Sequence, residues 1–317
     1  MSGYGELFVL SPSKFRHMLG ASHLTRHGTA AGELSGTFAG KTVALLLWGD
    51  AFRPSTAHWN GGSTNCVQSS FEAQREATAS QRERIVRPLK RAGARMQVLF
   101  TFPLCDQRNL TQPLHDVLVE WLGRANVVQT AFVEDAGSLE ESMRAAWQLL
   151  WRRVVARGVY DYTLLMRHDI YQQHSFDAWP PSTVLRPMRG HNLTSSLFRH
   201  MHMLPRRTHA YERVLFEAPC RGCGNSCNCG LGYKLDLDCG LCTNDHMLWV
   251  PARHLEHVAI AANTSYWSGH QFYRRVTPLV PDRDIGFLFP PSCDDSFCNF
   301  LISNQYQAYR PVRTLFG

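Results

Sequence analysis

The chain lacks any stretch of about 18 consecutive apolar residues, the length that spans a bilayer as a helix. Its apolar run Val43–Trp48 is only strand-sized. The first residues carry no signal-peptide pattern. If the protein works in a secretory compartment, its targeting segment is expected to be removed or unconventional. No block of five or more consecutive Lys/Arg occurs. The nearest set, Arg82, Arg84, Arg87, Lys90, Arg91 and Arg95, has the spacing of the solvated face of a helix. No Gly-x-Gly-x-x-Gly follows the first expected strand, and no Walker lysine motif is present. Both absences disfavour dinucleotide and P-loop readings.

What is present is ample core material. Of 317 residues, 44% are apolar and 19% charged, with 17 Phe, 10 Tyr and 8 Trp, so wholesale disorder is excluded. The length allows one large domain, or a core domain with a smaller appendage. The formal charge of +7 favours anionic ligands such as phosphates, nucleic acid or lipid headgroups, without choosing among them.

The front half alternates strand and helix signals. Lys41–Gly49 reads as a buried strand, Glu72–Ala92 as a helix with Pro88 as a kink, and Met96–Phe102 as the next strand. Leu114–Leu122 and Leu139–Ala156 read as helices, Asn126–Phe132 and Tyr162–Met166 as strands. This repeats the unit of a parallel sheet, so the fold class is α/β, a mixed and mostly parallel Rossmann-like open sheet. Three parts are expected: an arm at 1–38, a ligand-binding α/β half at 39–180, and a second half at 181–317. Beyond Pro180 the strands shorten and the loops fill with Arg, His, Pro and Gly, reading as an irregular attachment.

Open sheets bind ligands beyond the carboxyl ends of their strands. Polar sets follow three expected strands there: Gly49-Asp50-Ala-Phe-Arg53, Phe102–Asp106, and Arg167-His168-Asp169. Gly49 permits close backbone approach, and the planar fork of Arg53 suits a diphosphate. A charged triplet directly off an apolar strand is poor core material. Asp169 is a candidate ligand for Mn²⁺ or Mg²⁺, which favour oxygen donors and phosphates, and Arg167 stands beside it; the rival reading is an ordinary salt bridge. Alternation turns His168 away from both neighbours. Asp245, just before the apolar segment Met247–Val250, is a candidate general base or acceptor ligand, against an ordinary cap carboxylate. His270, Asp282 and Asp284 are candidate late metal or phosphate ligands.

Ten cysteines are present, six of them within Cys220, Cys223, Cys227, Cys229, Cys239 and Cys242. Two Cys-x2-Cys pairs separated by 15 residues match a four-cysteine zinc site, with Cys227 and Cys229 left over. Three disulfides fit as well, because glycines at 222, 224, 230, 232 and 240 permit tight turns. Basic residues are sparse around this segment, and it ends shortly before Asp245. It therefore reads better as a disulfide-linked brace than as a nucleic-acid-binding knuckle. Cys293 and Cys298 are candidates for a further bridge, and Cys66 and Cys105 for another. Cysteine density and three Asn-x-Ser/Thr sequons favour the secretory lumen (Golgi or ER) or secretion; zinc would favour the cytoplasm.

The strand ending at Gly49 with Arg53 beyond it, the helix carrying Ile85-Val-x-Pro-Leu, the strand Met96–Thr101 and the segment Tyr160–Asp169 together resemble GT-A-type glycosyltransferases. The likeness covers roughly residues 41–170 and 243–275. Arg167-His168-Asp169 stands in the place of that family's Asp-x-Asp, with arginine at the first acid. The resemblance implies that Asp169 touches a metal and the donor diphosphate, with Gly49, Asp50, Arg53 and Arg167 around the nucleotide. It implies that Asp245 is the acceptor-side or catalytic acid. The expected activity is sugar transfer from a nucleotide-sugar donor to a hydroxyl on a glycan, glycoprotein or small molecule. Two alternatives stand beside it: a zinc-stapled module binding nucleic acid or protein, and another nucleotide or phosphoester enzyme with acids at Asp50, Asp106 and Asp169.

Overall fold

The computed structural model describes residues 36–52, 66, 70–134, 139–172, 175–176, 185–186, 202–203, 210–217, 247–263, 272–276, 278–281, 284–288 and 302–303. Strand β1 (Thr42–Trp48) is followed by helix α1 (Phe71–Gln81), a π-helical segment (Arg82–Val86) and α2 (Arg87–Arg91). Then come β2 (Arg95–Pro103), α3 (Arg108–Leu122), β3 (Val127–Val133), α4 (Leu139–Arg157) and β4 (Tyr162–Arg167). Short strands β5 (Tyr171–Gln172), β6 (Leu185–Arg186) and β7 (His202–Met203) precede β8 (Val214–Glu217) and β9 (Met247–Pro251). Helices α5 (Leu255–Asn263) and α6 (Phe272–Val276) and strands β10 (Ile285–Leu288) and β11 (Ile302–Ser303) complete the described elements.

Seven strands form one open sheet in the order β10-β8-β9-β4-β1-β2-β3. Within it β1 runs parallel to β2 and β4, β2 to β3, and β8 to β10. Only β9 runs against its neighbours β4 and β8. The sheet is therefore mixed and mostly parallel, with helices on both faces. Among the described residues of the second half, β8, β9 and β10 extend the same sheet that β1–β4 begin. None of the described helices is long and apolar enough to cross a membrane.

Alternation along each central strand fills two cores. In β1, Val43, Leu45 and Leu47 face one core, and Ala44, Leu46 and Trp48 the other. A strand covered on both faces must be apolar throughout, which is why Val43–Trp48 is an unbroken apolar run. The first core takes α1, the π-helical segment, α2 and α3, through Phe71, Ile85, Leu89 and Leu118. The second takes α4, α5 and α6, through Trp147, Leu150, Val258 and Phe272. Phe38, just ahead of β1, is fully buried and packs on Tyr162, Phe176, Tyr211 and Trp249. Each such aromatic pair adds about 0.5–1.5 kcal/mol beyond its area burial.

Proline sets two local details. Pro88 lies two residues past the end of the π-helical segment, whose wider turn eases the ring past the preceding carbonyls. Helix α3 begins at Arg108 instead of Leu114, and carries Pro113 within its early turns. There the missing N–H forfeits one helical hydrogen bond, a cost the buried face of Thr111, His115, Leu118, Val119 and Leu122 outweighs.

Candidate functional site

The strand order reverses direction at β1: the chain proceeds from β1 outward to β2 and β3, then returns to β4 on the other side. Such a switch point leaves a crevice beyond the carboxyl ends of the two strands. Register pairs Trp48 with Arg167, and the His168 N–H donates to the Trp48 carbonyl at 2.9 Å, extending the ladder by one step. Gly49 and Asp50 on one side thus meet Arg167-His168-Asp169 on the other. Gly49 has φ +84°, a conformation that side chains resist, although a Cβ there would meet nothing closer than Arg167 Cγ at 3.9 Å. Its N–H donates to Ser142 Oγ of α4 at 3.0 Å.

Arg167 and Asp169 pair side by side. Arg167 Nε donates to Asp169 Oδ1 at 2.8 Å and Nη2 to Oδ2 at 2.6 Å, a two-pronged ion pair. The side chains are only 8% and 2% exposed. The rival reading for this triplet, a salt bridge, is therefore present in the fold. A divalent cation on Asp169 would compete for both carboxylate oxygens with a guanidinium already bonded to them. The carboxylate as it stands is a poor fit for a metal. Among the described residues no group of three or more His, Cys, Asp or Glu is arranged to hold a metal ion.

His168 turns the opposite way, to the β2 side. Its Nε2 lies 2.8 Å from the Thr101 carbonyl, and its ring meets Phe100 edge-on. A carbonyl can only accept, so Nε2 carries the proton and the ring is the neutral Nε2–H tautomer. Full burial drives its pKa down to about 4, outweighing the upward pull of the Thr101 carbonyl and Asp169. His168 is a buried support for the turn.

Two glutamines of α1 hold the turn from the other side. Gln81 Nε2 donates to the carbonyls of Arg167 at 3.0 Å, His168 at 3.3 Å and Ile170 at 2.9 Å. Gln74 Nε2 donates to the His168 carbonyl at 3.1 Å, and Gln74 Oε1 accepts the Phe52 N–H at 2.9 Å. Gln74 therefore ties the segment after β1 to the segment after β4. Phe52 has φ +57°, unusual for a bulky residue, and is fully buried against Phe71, Phe102 and Trp121. Neither glutamine was expected as a site residue. The available signal was their spacing of seven, two helical turns apart on one face.

The same end of the sheet carries a Cys66–Cys105 disulfide with Cα atoms 5.4 Å apart. It ties the segment after β1 to the segment after β2. Both cysteines are buried, and the Cys105 N–H donates to Thr111 Oγ1 at 3.0 Å, fixing the entry to α3. Among the described residues this is the one disulfide.

A third arm reaches this rim. Because β9 is antiparallel to β4, its first residue, Met247, pairs with Met166. The chain arrives there two residues after Asp245. Likewise Phe216 of β8 pairs with Leu248, so β8 ends and β9 begins at this end. Arg53, Asp245, His270, Asp282 and Cys220, Cys223, Cys227, Cys229, Cys239 and Cys242 all lie outside the described residues, as do Cys293 and Cys298. Asp284 is remote from the rim: it precedes β10, within 3.2 Å of Arg253 and 3.6 Å of His254. A scan against protein-family models gives no match, and a comparison with curated protein sequences gives none either.

Proposed function

We propose that the chain is a glycosyltransferase of GT-A type, moving a sugar from a nucleotide-sugar donor to a hydroxyl acceptor. The observation that carries this reading is the strand register. Trp48 opposite Arg167 and Met166 opposite Met247 bring Gly49-Asp50, Arg167–Asp169 and the start of β9 to one rim. The reading assigns the donor diphosphate to the switch-point crevice beyond Gly49 and Arg167. The glycosidic bond to the diphosphate breaks with its electron pair leaving on phosphate oxygen, and the acceptor oxygen bonds to the anomeric carbon. Positive charge near the leaving group lowers the barrier by stabilising the charge that develops there. In an inverting enzyme Asp245 takes the acceptor proton; a retaining one needs no such base.

The zinc-stapled alternative rests on residues outside those described, and no observation favours it. The phosphoester alternative called for a joint cluster of Asp50, Asp106 and Asp169, and no such three-acid group occurs among the described residues. The Cys66–Cys105 bridge supports an oxidising, lumenal or extracellular setting for the proposed enzyme.

Thermal-shift measurements against nucleoside diphosphates and nucleotide sugars test the reading. We expect stabilisation by one nucleotide class, with the matching nucleotide sugar hydrolysed or transferred. Absence of any shift across the panel, with Mn²⁺ and without, sinks it.

A further inference from the structure

We propose that the β1/β4 rim holds no divalent cation for the donor: Asp169 is the counter-ion that fixes Arg167, and both of its oxygens are committed to that guanidinium. This rests on the nucleotide-sugar reading. Each Asp169 oxygen accepts a hydrogen bond from Arg167, at 2.8 and 2.6 Å. The two side chains sum to zero charge, so the pair exerts little pull on a dication. A cation seated on Asp169 would stand against a buried guanidinium of like sign. Swinging Arg167 away would strand a charge in the interior, which is strongly unfavourable.

The backbone leaves little latitude for such a rearrangement. Gln81 and Gln74 engage the carbonyls of Arg167, His168 and Ile170, and His168 is anchored to Thr101 on the far side. Arg167 also occupies the last ladder position of β4, opposite Trp48. Its planar fork is thus held in one orientation by a carboxylate whose own turn is pinned at both ends. Asp169 on this account is a positioning residue.

The test uses the full chain stripped with EDTA. Manganese is titrated in and the free-ion electron paramagnetic resonance signal is recorded. We expect the free signal to match that of buffer, and UDP or GDP to raise the melting temperature equally in excess EDTA and in Mn²⁺. A shift that appears only with Mn²⁺, or one Mn²⁺ bound per chain and lost in Asp169→Asn, overturns this inference and leaves the glycosyltransferase reading standing. No shift under either condition overturns both.

Discussion

His168 links the rim to solution pH through its burial. A histidine held near pKa 4 in the fold, against about 6.5 in the unfolded chain, makes the unfolded state bind more protons below pH 6.5. Its contribution to stability is full above that value and is lost as pH falls toward 4. The complete loss is about 3 kcal/mol, from about 1.4 kcal/mol per pKa unit. Urea denaturation of wild type and His168→Gln at pH 7 and pH 4 checks this. Wild type should lose about 3 kcal/mol more than the variant across that interval; parallel profiles would refute the assignment. His254 also falls to about 4, burial leading, and contributes equally to both proteins. From sequence, Gly49, Arg167 and Asp169 stand out as candidates because they directly follow apolar strands; that Arg167 and Asp169 pair with each other shows only in the fold. The sequence hid Gln74 and Gln81, because a glutamine on a helix looks solvated until the partner carbonyls are known.

Between elements, the Cys66–Cys105 bridge does what neither strand end can do alone. It closes a loop with a sequence separation of 39 and binds two rim segments to each other. In the chain-entropy account, a loop of this length contributes about 4 kcal/mol, since 15 residues give about 3 and 100 about 4.7. Cys66→Ala with Cys105→Ala should lower unfolding free energy by about 2–4 kcal/mol in chemical denaturation. A change under about 0.5 kcal/mol would show that the bridge constrains nothing. Strands and helices here were readable where packing is two-sided: β1 stands out as a continuous apolar run after Thr42, and β2 and β4 as mostly apolar ones. The start of α3 was not, because Pro113 looks like a boundary from sequence and becomes tolerable only once its helix has a face to bury. The second half was harder still. Val214–Glu217 and Ile285–Leu288 are four residues each, too short for periodicity to distinguish from loop.

For the molecule as a whole, the central fact is that one sheet draws on both halves of the chain. Strand β4 is flanked by β1 on one side and by β9 on the other. A fragment ending at residue 180 would therefore expose the whole β9-facing edge of an apolar central strand, a template for intermolecular pairing. We expect fragment 36–180 to associate or precipitate on purification, as judged by sedimentation velocity, while the full chain stays dispersed. A monomeric fragment with native-like circular dichroism would count against the shared sheet.

The antiparallel pairing of β8 with β9 has a separate consequence for how such a protein can change. The segment from 218 to 246 begins and ends on two strands already hydrogen-bonded to each other, so its span is closed whatever its length. Doubling a closed loop costs only about 0.6 kcal/mol. Lineages could thus swap or lengthen that segment as a cassette while the sheet beneath is inherited unaltered.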